Sequence, residues 1–555
     1  MKVFVTAKAV KDTGIFSHRL LRLQENRGLR VVVLALSACI FALPLHLAWL
    51  AFTNPVELEM REGSGWILVL AKLAGVDLYD TTRVAFVNMN HGPLDPILKA
   101  WISRCLPALP GYMVIRAFVL LTPVFLFAAA YKISRGHLAT ALLAAGTLFL
   151  FICQMSVLVL VGRSDPTAIC GLVVCGALAS QLLLVGDRSW SNRSYVVKQV
   201  GLGAASSAVF LTSSRYLPLA AGLQFVVLAA QLDGRGGDGE PSSRPPPPRR
   251  ARLAAVSKSL LSSTALYLIG FGTIWALVFG VELHGDFHSY YEHFFGFFSA
   301  KSGWGTFAGD SFHLVPSEVL ENRHESIFVC VALILLGLHR LRRRPGQLIA
   351  WLLMLLAVWT SIAYGYFKNR GGGGLHYFVE FFVFAWIFIL HAFRSRERPG
   401  GLTQLLLLAV VALALPWHDL LAQQRKLGDL RVQARSFRRE LAMVTRGQPV
   451  FGEGTHLFKT TYDGEVIDTG DTAAAIAASG YFGEAFTRTY QAYTRRLVAN
   501  PPKFVVEGLL DGTSFGGIMT PTLRDLLRQR YTVRLMARGI SLYNGSSQAL
   551  LQRRD

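Results

Sequence analysis

The chain has 555 residues, 52% of them hydrophobic and only 16% charged, with a formal net charge of +21. Its mean hydropathy of +0.39 is an apolar excess that a soluble domain would struggle to keep off its surface. That excludes an ordinary soluble enzyme, and the placement of the basic residues, between apolar runs, argues against a nucleic-acid-binding protein.

A basic N-terminal segment, residues 1–30, precedes the first apolar run, Val31 to Phe52. A membrane span takes roughly 20 helical residues, and this run reads as one rather than as a cleaved signal peptide. Further runs follow at Tyr112 to Tyr131, Leu138 to Val157, Thr167 to Val185, Val197 to Leu211, Tyr216 to Ala230, Leu260 to Val281, Ser326 to Leu338, Leu348 to Tyr366, Leu375 to Phe393 and Leu402 to Pro416. The expected fold is therefore an all-α polytopic membrane domain over residues 31–416, with about eleven transmembrane helices.

Lys/Arg-rich loops KISRG, GDRSWSNRSYVVK, the linker 232–258, HRLRRRPG and RSRERPG alternate with loops poor in them. The positive-inside rule makes the first set and the N-terminus cytoplasmic. The linker, rich in Gly, Pro, Ser and Arg, reads as a disordered tether with some affinity for anionic lipid. The opposite loops, 53–111, around Arg163, around Arg215, 283–325 and KNRGGGGLH, then face outward and carry nearly all the unusual polar chemistry.

In the first outer loop, Glu57, Glu59 and Glu62 precede an apolar segment, Trp66 to Ala74, too short to cross. It reads as an in-plane helix, and NHGPLDPILKAWISRCLP as a second, with Pro93 and Pro96 near its start. Asp95 suits the positive end of that helix's dipole, and His91 is a structural or substrate-binding residue. Six cysteines sit in or beside apolar runs with neither disulfide nor metal-ligand spacing. Histidines 284, 288 and 293 in the long outer loop 283–325 form no recognisable ligand set, so no cofactor is assigned, and whether a divalent cation assists stays open. The aromatics of that loop suit either a lid over a sugar site or an interfacial anchor.

The landmarks Glu62-Gly63, Gly75 to Tyr79, His91 to Leu94, GRSDPTAIC, TSSRY and KNRGGGGLHYFVE run in order from Asn54 to Glu380. In that order and on one side of the membrane, they resemble the membrane glycosyltransferases of the C-type fold. One departure is that the first-loop pair reads Arg61-Glu62 where family members often have Asp-Glu. The resemblance implies transfer of a sugar from a polyprenyl-phosphate carrier to a hydroxyl of a glycan, lipid or protein acceptor on the outer side, with inversion.

Under that reading Glu62 or Glu59 is the general base. Arg215, Lys368, Arg370, Arg163 and His376 are candidates to neutralise the departing phosphate, helped by backbone amides of Gly371 to Gly374. Asp165 pairs with Arg163 or serves as a helix-start acid. Glu380, inside an apolar run, must face protein interior or a wet cavity. Two other readings stay open: a lipid or sugar transporter, and a non-catalytic scaffold of an envelope-building complex. A transporter would carry its ionisable groups near mid-membrane, whereas here they collect at one face.

From Trp417 the chain turns polar. A basic helix, buried strands at QPVFGEG and PKFVVEGLL, helices at TAAAIAASG and TPTLRDLLRQR, and a closing hairpin over YTVRLMARGISLYNG predict a small α/β domain, 417–555, outside the membrane. Localisation in a bacterial inner membrane, with membrane lipids as partners, is the expectation.

Overall fold

The computed structural model describes residues 27–59, 61–79, 92–185, 191–232, 249–291, 331–332, 334–342, 345–368, 378–393, 417–448, 450–451, 459–460, 483–509, 521–537 and 547–554. The chain is a helical membrane protein with a small sheet near its C-terminus.

The first apolar run forms α1 (Arg27–Phe52), with Pro44 inside it. Proline is tolerated in such helices because neighbours re-satisfy the freed backbone groups. Two short helices follow, α2 (Arg61–Leu73) and α3 (Leu94–Cys105). Thirteen residues rise only about 20 Å, so neither reaches across hydrocarbon about 30 Å thick. A turn of helix, α4 (Gly111–Ile115), leads through Arg116 into α5 (Ala117–Ile133).

Then come α6 (Leu138–Met155), α7 (Ser164–Leu182), α8 (Arg193–Thr212), α9 (Leu217–Leu232) and α10 (Arg249–Ala276), whose end widens to a π turn over Leu277–Glu282. A five-residue helix, α11 (Phe287–Tyr291), follows. Residues 331–332 and 334–341 are helical, beginning within the run read as the eighth span and continuing past its expected end at Leu338. Helices α12 (Pro345–Lys368) and α13 (Phe378–Ala392) follow. The run Leu402 to Pro416 lies outside the described residues. Among those described, five helices are long and apolar enough to cross a membrane: Arg27–Phe52, Gly111–Ile133, Ser164–Leu182, Ser257–Glu282 and Pro345–Gly365.

Polar side chains inside this bundle bond across helices, as hydrocarbon demands. Gln199 of α8 donates to Gln224 of α9 at 3.0 Å, and Gln224 donates to Thr264 of α10 at 3.1 Å. His391 of α13 meets Ser180 of α7 at 2.9 Å.

Helices α8 and α10 cross in backbone contact at two glycines. A Cβ on Gly203 would stand 2.0 Å from the Tyr267 carbonyl oxygen, and one on Gly270 would stand 2.0 Å from that of Val200. Neither obstacle is a side chain that can swing away. Gly203→Ala and Gly270→Ala are therefore expected to lower the thermal midpoint in detergent, the crossing costing about 1–3 kcal/mol. Gly272→Ala on the same helix, where a Cβ meets nothing within 4 Å, should be neutral or mildly stabilising, since alanine is the better helix former. Equal midpoints for Gly203→Ala and Gly272→Ala would refute the close crossing.

Beyond the bundle, α14 (Trp417–Thr445) buries a stripe of Leu420, Leu427, Leu430, Ala434, Phe437 and Leu441. It packs on α1, α6 and a four-stranded sheet of order β1-β2-β4-β3. Strand β1 (Val450–Phe451) is parallel to β2 (Phe504–Leu509). β2 is antiparallel to β4 (Ser547–Arg553), which pairs antiparallel with β3 (Tyr531–Ala537). Helices α15 (Gly483–Ala499) and α16 (Pro521–Arg530) accompany it. The helix expected over TPTLRDLLRQR is α16. The segment TAAAIAASG lies outside the described residues. The hairpin's return strand runs later than YTVRLMARGISLYNG, at Ser547–Arg553, and α15 is a helix that the sequence reading did not include. The Trp66 indole of α2 donates to the Lys459 carbonyl at 2.8 Å, a direct tie between the first loop and this C-terminal part.

Candidate functional site

The site grows from three helix ends. At the head of α7, Gly162 to Pro166 turns the chain, and Asp165 occupies the first helical turn beside Pro166, where a missing N–H costs least. Between α8 and α9 a single 3₁₀ turn, Ser214–Tyr216, carries Arg215. At the head of α13, Glu380 occupies the first turn. Asp165 and Glu380 are both buried, and the Arg215 side chain is 11% exposed.

One nitrogen of Arg215 joins them. Its Nη2 lies 2.8 Å from Glu380 Oε1 and 3.6 Å from Asp165 Oδ1, and it donates to the Tyr216 hydroxyl at 2.7 Å. Arg163 stands on the other side of Asp165, Nε to Oδ2 3.7 Å. Two cations and two carboxylates thus balance, and a buried ionic cluster is tolerable only when paired in this way.

Against the cluster lies a pocket with about 240 Å³ of space not filled by atoms, part of it open, walled by Leu158, Val159, Ile169 and Val379. Most of that is open or interstitial space, and the room inside is about that of a single water molecule, so this is a narrow crevice beside the ion pairs.

A second network holds the same turn from behind. Glu62, fully buried on α2, accepts from Arg116 Nε at 2.6 Å and the Gly162 amide at 2.5 Å on Oε1. On Oε2 it accepts from Arg116 Nη2 at 2.5 Å and the Leu58 amide at 2.6 Å. A carboxylate offers about four acceptor directions, and these donors take them all. Arg116, equally buried, sends its remaining N–H groups to the carbonyls of Ala51 at 3.1 Å and of Asn54 and Val56 at 2.5 Å. Only glycine fits at position 162, where a Cβ would come within 3.0 Å of Glu62 Oε1 and 2.9 Å of Arg116 Cγ.

Lys99 of α3, also without exposure, reaches Asp95 at 2.7 Å and the carbonyls of Gly162 and Arg163 at 3.0 and 3.3 Å. Asp95 accepts a further hydrogen bond from Thr167. Burial pushes the Asp95 carboxyl up, against the pull of Lys99 and Thr167. Lys72 of α2 and Trp101 of α3 both bind Glu282 at the end of α10, at 2.8 and 3.2 Å. Tyr290 of α11 is buried edge-on to Tyr79 at 5.8 Å, so the described start of the segment after α10 packs on the loop after α1.

The predicted residues sort accordingly. Arg163, Asp165, Arg215 and Glu380 meet in one cluster, while Glu62 and Asp95 join the supporting network behind it. Glu59 is buried on the segment between α1 and α2. Lys368 is the last residue of α12. His91, Arg370 and His376 lie outside the described residues. Among the described residues no group of three or more His, Cys, Asp or Glu is placed to hold a metal ion.

Sequence reasoning missed Arg116 and Lys99. Arg116 is the one basic residue in the stretch Tyr112 to Tyr131, and an intramembrane cation must have a partner. Lys99 follows Asp95 at the spacing of helical neighbours.

Helices, charge pairing and pocket define an integral membrane protein with a buried ionic site at the shared end of several helices. Among solved structures it is similar to ArnT from Cupriavidus metallidurans bound to undecaprenyl phosphate, over 94% of this chain and 98% of that one, at 13% identity and a TM-score of 0.47. The apo form of the same protein gives 15% and 0.45 over the same shares. The archaeal oligosaccharyltransferase AglB from Archaeoglobus fulgidus, in complex with an inhibitory peptide and a dolichol-phosphate, gives 11% and 0.38 over 84% of this chain and 69% of that one. No family model and no curated protein matches the sequence.

Proposed function

We propose that this protein is a membrane glycosyltransferase that moves a sugar from a polyprenyl-phosphate carrier to an acceptor hydroxyl, with inversion, at the extracytoplasmic face of a bacterial inner membrane. The observation that carries the reading is the pair of carboxylates, Asp165 and Glu380, gathered by one guanidinium at a buried pocket beside helix ends. The positive-inside rule turns that end outward, and about eleven spans would bring α14 and the sheet to the same side.

The charge-balanced cluster suits a hydroxyl-rich, neutral group better than a bare phosphate. Carboxylate oxygens accept from sugar hydroxyls, and the apolar wall faces the ring. The phosphate falls to Lys368, Arg370, His376 and the backbone amides of Gly371 to Gly374, on the segment that joins α12 to α13.

In the transfer a carboxylate takes the proton of the acceptor hydroxyl and the oxygen attacks the anomeric carbon. The bond to the phosphate oxygen breaks, and the polyprenyl phosphate leaves with its electron pair, stabilised by the cations. A base needs a lone pair open to the hydroxyl. The four occupied directions of Glu62 favour a role in holding the turn, so Glu59, Asp165 and Glu380 are the carboxylates to test as the base.

Purified protein given radiolabelled polyprenyl-phosphate sugars should transfer label. Glu380→Gln, Asp165→Asn and Glu59→Gln should be assayed separately, and the base among them should cost roughly 10²- to 10⁴-fold at unchanged thermal midpoint. Wild-type transfer by all three would overturn the reading. Label crossing the bilayer without being transferred would point to a transporter instead.

A further inference from the structure

The outer face of α14 carries a second stripe, opposite the buried one. Leu421, Arg425, Gly428, Val432, Arg435, Arg439 and Met443 follow one another at spacings of three and four, so they line one side of the helix. Leu421, Val432 and Met443 are 45%, 69% and 63% exposed, and the three arginines are exposed as well. The carboxylates of the middle of the helix, Asp429 and Glu440, fall on a neighbouring face, where Glu440 accepts from Ser436 at 2.9 Å.

Arg431, Arg435 and Arg439 form a row at i, i+4 and i+8, an arrangement that like-charge repulsion disfavours in isolation. Partial burial and then Arg435 lower the pKa of Arg431. A helix that interleaves arginines with bare Leu, Val and Met has the composition of a bilayer-interface surface, where apolar groups enter the headgroup boundary and cations pair with phosphates. A groove for a soluble polyanion needs the cations and not the apolar groups. The helix spans about 43 Å and begins one residue after the run Leu402 to Pro416 that the sequence reads as a span. Its opposite face packs on α1 and α6.

We propose that this face of α14 is a lipid-binding surface selective for anionic phospholipid headgroups, independent of the pocket at Arg215. It holds α14 along the bilayer, and the small sheet with it.

The test uses the full chain in mixed micelles of phosphatidylglycerol and phosphatidylcholine, with retained lipid counted by native mass spectrometry. Each arginine near an anionic surface contributes about 1 kcal/mol, so Arg425→Gln, Arg435→Gln and Arg439→Gln should each lower phosphatidylglycerol affinity about fivefold, and combined they should abolish the excess over phosphatidylcholine. A second variant, Leu421→Ser with Val432→Ser and Met443→Ser, should also reduce retained phosphatidylglycerol. All six side chains are exposed, so thermal midpoints should stay at wild type; should a combined variant fail to fold, Arg435→Gln and Val432→Ser alone are measured. Undiminished phosphatidylglycerol in the arginine variant overturns the proposal. So does a loss in the arginine variant with none in the apolar variant, which assigns the face to a soluble polyanion.

Discussion

Arg116→Met is expected to cost this protein most of its stability. The substitution removes every donor that Arg116 supplies, leaving the Glu62 carboxylate fully buried with only the Leu58 and Gly162 amides, and leaving the carbonyls of Ala51, Asn54 and Val56 without their guanidinium. Breaking a buried ion pair from one side costs about 3–5 kcal/mol, and orphaned carbonyls add to that. Against a total stability of about 5–15 kcal/mol, the purified protein should melt far below wild type or fail to elute as a single species. Arg116→Lys keeps the charge but offers a compact ammonium in place of a planar fork, so it should recover only part of the midpoint. Arg116→Met with Glu62→Met should recover more than Arg116→Met alone, because a buried pair replaced by apolar groups is often neutral. A midpoint unchanged in Arg116→Met would show that the strap between α1, α2 and the Gly162 turn contributes nothing.

That strap also marks the boundary of what the sequence could tell. The long helices were legible because an apolar run of span length has little choice of structure in lipid, and α2 and α3 because their runs were too short to cross. Arg163, Asp165, Arg215 and Glu380 were legible as ionisable residues at helix ends, which need either water or each other. What could not be read was the pairing. Glu62 and Arg116 are far apart in sequence, and whether a buried glutamate is a base or a strut depends on how many of its acceptor directions neighbours fill, a property of the assembled fold. In the C-terminal part, β2 and α16 announced themselves through an apolar run and a Pro-initiated amphipathic pattern. Helix α15, with Thr487, Thr489 and Thr494 in it, has β-branched residues that blunt a helical signal. The return strand β4 begins later than expected because hairpin register follows the connection, and after β3 the sequence offers no Asn-Gly pair before Asn544-Gly545.

Arg215→Gln should abolish transfer while leaving the fold largely intact. The guanidinium meets Glu380, Asp165 and the Tyr216 hydroxyl at the pocket. Losing them frees two carboxylates to repel one another at the pocket. The geometry of bound sugar should suffer more than the stability of the helices, and a small misplacement of the reacting groups is worth about 10²-fold in rate. Since one nitrogen, Nη2, serves each of these contacts, a lysine ammonium can take its place, and Arg215→Lys should recover much of the transfer lost in Arg215→Gln; a contact that needed the planar bidentate fork would be rescued far less. The double variant Arg215→Gln with Glu380→Gln removes the pair together. If the two side chains act as a unit, its loss of kcat/KM should fall well short of the product of the single losses, and its thermal midpoint should rise above that of Arg215→Gln. Strictly multiplicative losses would mean that Arg215 and Glu380 serve separate substrates, and the single pocket drawn from their contact would have to be divided in two.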